Sequence, residues 1–562
     1  MSEMHDSANN IAYLLAEAAS GSGSASDSGA KAALAIPASD SADVQVVSYA
    51  QLASAAAQVQ RHVAALGVER GDRVALSMPN VALMPALYYG IVAAGAICVP
   101  LNPLLSGAEL DYHLRDSGAK VLFAFAGTRL ASEASSTVPV KNGSVRCEIF
   151  TGGEGSPVAP FDAPADSALS DAVPSAAVLE PVPVAASDPA IILYTSGTTG
   201  RPKGATLTHA NILSNARSCV SVFGFTAEDV IFGGLPLFHA FGQTVSMNAA
   251  FAASATVALL PRFTPGDALN LMERAGVSVL AAVPSMYVSL AAALEAEPER
   301  ARSLRGRIRF GISGGSPLPA PVHSALKTLI ECPVYEGYGL SETSPVVSFN
   351  QAEFGMVLGS VGRVLPGVQV QVRCPQGSEC APGVSGQLWV RGENVMAGYW
   401  NNPAATAEVF DGEWFATGDV ARVDEQGNIF IVDRIKDMVL RNGYSVYPRE
   451  IEDVLYTHEQ VQSVAVLGVP DERVGEEVVA VVMPRPGADE GVLQAELNAL
   501  ARTRLAAYKY PRRYVMVESM PLGPPGKTPK RDLRVLIQRG YFRQAVLGVY
   551  LRTTAGEGGR TL

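Results

Sequence analysis

The chain has 562 residues, 48% of them hydrophobic and 17% charged, with a formal net charge of −11. That length buries several cores and implies two or more domains, while the acidic balance excludes the electrostatic footprint of a nucleic-acid binder. Six cysteines are scattered, and only Cys374 and Cys380 lie close together, at a spacing that fits no zinc pattern, so reduced thiols and a cytoplasmic setting are expected.

In chain order, the amino terminus carries early acids and lacks the basic and apolar regions of an export signal. Gly21 to Asp43 and Gly152 to Asp188, rich in small residues and proline, read as loose segments. A helix is predicted over Tyr49 to Leu66. Between Val74 and Gly107 there is no charge, but Pro85, Gly95 and Pro100 break the apolar run, which predicts a buried helix and a core strand rather than a transmembrane segment. Short apolar strands at Val74 to Ser77, Val121 to Phe125, Ala190 to Tyr194, Val277 to Val283 and Ile308 to Ile312 alternate with helix-length segments. This alternation predicts an α/β protein with largely parallel sheets. Beyond Arg363, glycine-punctuated runs such as Val368 to Val372, Gly386 to Val390 and Ile429 to Val432 predict a β-rich subdomain. From Ile435 a helix ending at Leu455 and strands at Val461 to Val469 and Val478 to Met483 predict a small, separate α+β domain. The expected division is therefore 1–434 and 435–562.

Chemistry concentrates first after the strand ending at Tyr194. Thr195-Ser196-Gly197-Thr198-Thr199-Gly200-Arg201-Pro202-Lys203-Gly204 combines glycines that free backbone N–H groups, hydroxyl donors and a lysine, the parts of a polyphosphate cradle. It is not a Walker loop, because Lys203 is followed by Gly. Here the sequence resembles the adenylate-forming superfamily of acyl-CoA synthetases, luciferases and nonribosomal adenylation domains. The resemblance runs in the expected order from about Tyr49 to Arg534.

The resemblance implies roles for the remaining motifs. In Glu336-Gly337-Tyr338-Gly339-Leu340-Ser341-Glu342, Tyr338 would stack on adenine, Ser341 would meet phosphate, and Glu342 with Thr198 would ligate Mg²⁺. Gly314, Gly315 and Ser316 would lie between nucleotide and acyl pocket. His239, in Leu235-Pro236-Leu237-Phe238-His239-Ala240-Phe241-Gly242, would line the acyl or pantetheine channel, and Arg262 would meet a coenzyme A phosphate. Asp419 would hold the ribose hydroxyls, Arg434 would supply a forked donor beside it, and Lys436 would be the hinge. Gly443 would let pantetheine pass, and Lys527, on a Gly/Pro loop, would be the catalytic lysine. Thr528-Pro529 after that lysine and the long tail from Ile537 depart from the family pattern.

The implied activity is an ATP- and Mg²⁺-dependent acyl-CoA synthetase that acts through an acyl-adenylate, most like long- and medium-chain fatty acyl-CoA synthetases. Its partners would be a carboxylic acid, ATP and coenzyme A. The alternatives are a ligase loading an acyl carrier protein, an aryl-CoA ligase, and a silent nucleotide-binding regulator. Retention of Lys527, Glu342 and Asp419 argues against silence. The resemblance also admits a homodimer and peripheral attachment to a membrane.

Overall fold

The computed structural model describes residues 9–20, 30–38, 43–126, 137–140, 143–150, 177–195, 201–471, 473–521 and 530–538. The chain forms two compact units, one of residues 1–371 and 389–417, the other of 372–388 and 418–562.

The first unit contains two large mixed sheets. In one, Val334–Gly339, Phe310–Ser313, Val279–Ala282, Val230–Gly233, Thr256–Leu259 and Ala32–Pro37 run parallel, with antiparallel strands at both edges. In the other, Pro189–Thr195, Ile97–Leu101, Arg73–Ser77, Val121–Phe125 and Gly143–Phe150 run parallel. Strand Lys203–Thr208 returns antiparallel to Pro189–Thr195 and pairs at its other edge with the short strand Gly398–Tyr399. The central strand Ile97–Leu101 is apolar along its whole length because both its faces are covered, and Ile97, Cys98, Val99 and Leu101 are all buried.

The helices start where the sequence supplies a cap. Ser48 caps Tyr49–Ala65 reciprocally with Gln51, and Thr208 does the same with Asn211 at the start of His209–Phe223. The charge-free stretch resolves into the buried helix Leu83–Ala93 and the strand Ile97–Leu101. No described helix is long and apolar enough to cross a membrane.

Two expectations are corrected. The segment Gly21 to Asp43 is not wholly loose, because Ala32–Pro37 is a sheet strand with Ala33, Leu34 and Ala35 buried. Its small alanines look like linker composition, yet the strand pairs with Thr256–Leu259 on one edge and Val44–Ser48 on the other. The expectation of reduced thiols fails at one pair: Cys374 and Cys380 form a disulfide across a tight turn, with Cα atoms 5.4 Å apart. Cys98, Cys147, Cys219 and Cys332 are free and buried.

In the second unit, Val461–Asp471, Gly475–Pro484, Val439–Arg441 and Tyr444–Val446 form an antiparallel sheet, with Arg513–Met516 parallel to Gly475–Pro484. Alternation decides which side chain faces which layer. Val478, Ala480 and Val482 pack with Ile451, Leu455, Leu493 and Leu497, while Val479 and Val481 pack with Val515, Leu533 and Ile537.

Candidate active site

Within the first unit the predicted phosphate loop falls in sequence between Pro189–Thr195 and Lys203–Thr208, which pair as an antiparallel hairpin. Thr195 and Lys203 are register partners at its mouth. Ser196, Gly197, Thr198, Thr199 and Gly200 lie outside the described residues.

Glu342 stands on a single 3₁₀ turn, Ser341–Thr343, immediately after the strand Val334–Gly339. Its Oε1 accepts from the Tyr399 hydroxyl at 3.1 Å and from the Thr195 hydroxyl at 3.3 Å. Lys203 Nζ lies 5.1 Å from the centre of the Tyr399 ring, within cation–π range. Burial, followed by the charge and hydrogen bond of Glu342, raises the Tyr399 phenol well above its ordinary value, so Tyr399 stays a neutral donor to the carboxylate. The turn itself is braced: the Met396 amide donates to the Glu342 carbonyl at 2.9 Å, and Asn394 Nδ2 donates to the carbonyls of Thr343 and Val346. Tyr399, Asn394 and Met396 escape a motif reading. Their only signal is the Gly398-Tyr399 pair, whose strand lies beside the hairpin.

Gly337 and Gly339 have a packing reason. A Cβ on Gly337 would strike the Phe349 ring, and one on Gly339 would collide with the Pro345 carbonyl. Removing those side chains lets the strand Val346–Phe349 lie close and leaves half-buried Tyr338 between the two glycines. Gly315 and Ser316 are exposed at the end of the strand Phe310–Ser313, and Gly315 has φ +89°, a left-handed value that favours glycine. A Cβ on Gly314 would come 3.2 Å from the Phe241 ring, so the small residue admits that ring.

Phe241 belongs to the His239 motif, which the fold therefore brings against Gly314. His239 is half-buried, and its Nδ1 accepts from the Phe241 amide at 3.5 Å. The motif leads into a π-helix, Gly242–Asn248, a wide turn found at functional sites. Thr244 in that helix donates to the Ser344 carbonyl at 2.8 Å, tying it to the Glu342 turn. Arg262 is exposed just beyond the strand Thr256–Leu259. The Glu336 side chain turns inward, onto Leu318 and His323.

In the second unit Asp419 and Arg434 are register partners, and Arg434 Nε lies 3.2 Å from Asp419 Oδ1. The Asp419 side chain is only 3% exposed and that of Arg434 43%, so the acid is anchored by a cation that still reaches solvent. Lys436 is exposed on the 3₁₀ turn Ile435–Asp437. Asn442 (φ +51°) and Gly443 (φ +78°) form the two-residue link between Val439–Arg441 and Tyr444–Val446, both in the left-handed region such hairpins demand. Lys527 lies outside the described residues.

The AMP-binding enzyme family matches residues 24–400, and its C-terminal domain matches 450–527. The chain belongs to the AMP-binding enzyme family. It is 34% identical to a long-chain-fatty-acid–CoA ligase of Bacillus subtilis over 83% of this chain and 86% of the relative. It is 35% identical to a feruloyl-CoA synthase of Amycolatopsis over 87% and 93%. Among solved structures, ATP-bound MatB from Rhodopseudomonas palustris superposes with a TM-score of 0.80 at 32% identity, covering 95% of this chain and 99% of that one. An anthranilate CoA ligase in complex with anthranoyl-AMP gives 0.80 at 26%, covering 94% and 96%. This AMP-binding enzyme is thus one of the adenylate-forming acyl- and aryl-CoA ligases, ATP-dependent enzymes with a large N-terminal α/β domain and a small C-terminal one.

The donor set at Glu342 fits Mg²⁺. One carboxylate beside hydroxyl oxygens is the hard-oxygen environment this ion takes in nucleotide sites. Among the described residues no group of three or more His, Cys, Asp or Glu could hold a metal by itself.

Proposed function

We propose that the protein activates a fatty acid with ATP and transfers the acyl group to coenzyme A, releasing AMP and pyrophosphate. The observation that carries this reading is the Glu342 carboxylate, gathered with Thr195 and Tyr399 beside Lys203 at the mouth of a Gly/Thr-rich hairpin. That arrangement offers cationic and carboxylate groups to one polyphosphate.

A carboxylate and ATP repel each other, so the first half-reaction needs charge neutralisation and alignment rather than a strong base. A carboxylate oxygen attacks the α-phosphorus, the bond to pyrophosphate breaks, and an acyl-adenylate remains. Lys203 and the loop 196–200 bind the phosphates, Tyr338 and the exposed Gly315–Ser316 receive the base, and Asp419 with Arg434 holds the ribose. Mg²⁺, held by Glu342 and Thr198, supplies charge neutralisation to the phosphate oxygens when bound. Lys527 contacts the α-phosphate and carboxylate. In the second half-reaction the thiol sulfur attacks the acyl carbon, AMP leaves, and the thiol proton passes to solvent.

We further propose that residues 435–562 turn about Lys436 between the two steps, withdrawing Lys527 and bringing Gly443 to the pantetheine path. His239 and Gly314 line the acyl side, and Arg262 meets a coenzyme A phosphate. The protein works in the cytoplasm in this reading.

Fatty acids are favoured by the Bacillus subtilis relative and by the apolar Phe241 packed on Gly314. The feruloyl-CoA synthase relative favours a second reading, an aryl-CoA ligase. A panel of acids decides. Saturated acids of roughly eight to sixteen carbons should exceed acetate and benzoate in kcat/KM, since burial contributes about 0.8 kcal/mol per methylene. An aromatic acid that wins by a wide margin establishes the second reading instead.

A further inference from the structure

The strand that carries Tyr338 also carries Glu336, two residues earlier, and its carboxylate is spent inside the protein. Glu336 is 7% exposed. Its Oε1 accepts from the Leu318 amide at 2.8 Å, and its Oε2 faces His323 Nε2 at 3.1 Å. Leu318 closes the loop that begins at Gly314 and exposes Gly315 and Ser316. His323, also 7% exposed, stands in the first turns of the helix Ala320–Ile330. One carboxylate therefore joins three elements: the Tyr338 strand, the Gly315–Ser316 loop and the helix that follows it.

A carboxylate only accepts, so the hydrogen in the His323 contact sits on Nε2. His323 Nδ1 has no partner among the described residues, so the imidazole makes this one hydrogen bond. The Glu336 carbonyl is also engaged, accepting from the Asn350 amide at 2.9 Å and from Asn350 Nδ2 at 3.3 Å. Backbone and side chain of Glu336 are thus both fixed. If His323 is lost, one oxygen of a buried carboxylate is left without a donor, and the cheapest relief is rotation of the carboxylate away from Leu318.

We propose that His323 is a positioning residue for adenylation: it holds the Glu336 carboxylate on the Leu318 amide and so fixes the Gly314–Leu318 loop relative to Tyr338. The loop and the ring then meet the nucleotide as one preset surface. This rests on the proposed function, in which Tyr338 and Gly315–Ser316 receive the base. A displacement on the order of 1 Å between such surfaces costs up to a hundredfold in rate.

The test uses the full chain with His323→Leu, which removes the donor, and His323→Gln, whose amide N–H replaces it. For each variant, three quantities are measured: AMP affinity by calorimetry, kcat and KM for pyrophosphate release over ATP and acid concentrations, and the thermal midpoint. His323→Leu should lower adenylation kcat/KM about tenfold per folded molecule and weaken AMP binding several-fold, while His323→Gln stays within about twofold of wild type. A folded Leu variant with unchanged AMP affinity and kinetics overturns the proposal, as does a Gln variant as impaired as the Leu variant. If His323→Leu does not fold, His323→Asn, polar but too short to reach Glu336, takes its place with the same two outcomes. A wild type that binds no AMP defeats the proposed function itself, whereas AMP binding unaffected by the substitution defeats only this inference.

Discussion

Two glycines of the candidate site, Gly339 in the first unit and Gly443 in the second, are demanded for opposite reasons. At Gly339 a side chain would run into the Pro345 carbonyl, so packing alone excludes any other residue. At Gly443 nothing lies within 4 Å of a Cβ, and only φ +78° disfavours a side chain. The surroundings differ in the same way. Glu342 is held by Thr195, Tyr399 and the Met396 amide, whereas Gly443 and Lys436 sit on exposed turns. Around Glu342 the first unit presents preset polar groups, while Gly443 and Lys436 in the second sit on turns whose residue types have little to do with packing.

The largest effect that separates the two regions is kinetic. Lys527→Ala should suppress pyrophosphate release by on the order of a hundredfold or more while leaving thioester formation from supplied acyl-AMP intact. Gly443→Leu should do the reverse, with adenylation intact and acyl-CoA formation slowed. Assays of the two half-reactions on both variants check this, and equal loss of both steps in both folded variants removes the alternating arrangement.

Stability sharpens the contrast next. Gly339→Ala should cost about 3 kcal/mol or more through overpacking against backbone, and Gly443→Ala only about 1 kcal/mol from the left-handed conformation. Denaturant midpoints of the two variants decide. Similar losses would mean that Gly339 has room its surroundings do not display.

The first unit should also be the more acid-sensitive at its amino-terminal segment. His209 Nδ1 accepts from the Ile11 amide at 3.1 Å. Burial lowers the His209 pKa to about 4, with Asp188 opposing and Arg70 adding to the shift. The folded state therefore binds fewer protons than the unfolded one between about 4 and the ordinary value near 6.5. This contribution, on the order of 3 kcal/mol, is complete above that ordinary value and is lost as pH falls through the window. His209→Gln should flatten the slope of stability between pH 6.5 and 4, and an unchanged slope would assign it elsewhere. The smallest effect is expected at Tyr399→Phe, which removes one donor from Glu342. Adenylation should fall roughly threefold to tenfold, with more Mg²⁺ needed for half-maximal rate, and an unchanged Mg²⁺ dependence would detach Tyr399 from the metal site.

The legible parts of this molecule are those whose chemistry is contiguous in sequence. The Pro85, Gly95 and Pro100 breaks that split the charge-free stretch into Leu83–Ala93 and Ile97–Leu101, and the glycines of the Tyr338 to Glu342 run, each carry their reason within a few residues. Tyr399 was not legible, because it acts on Glu342 across 57 positions, and no local pattern marks a tyrosine that will donate to a distant carboxylate. Glu336 lies in the motif the resemblance ties to the nucleotide, and only the fold reveals that its carboxylate serves Leu318 and His323. The strand Ala32–Pro37 was hidden by alanine-rich composition, which signals a linker in isolation and a close-packed strand beside Thr256–Leu259.

The most direct test of the central claim is product analysis with ATP, Mg²⁺, coenzyme A and the preferred acid from the panel. The account predicts AMP and pyrophosphate in equal amounts, matched by acyl-CoA, with pyrophosphate still released in a first turnover when coenzyme A is omitted. Release of ADP and inorganic phosphate would contradict it.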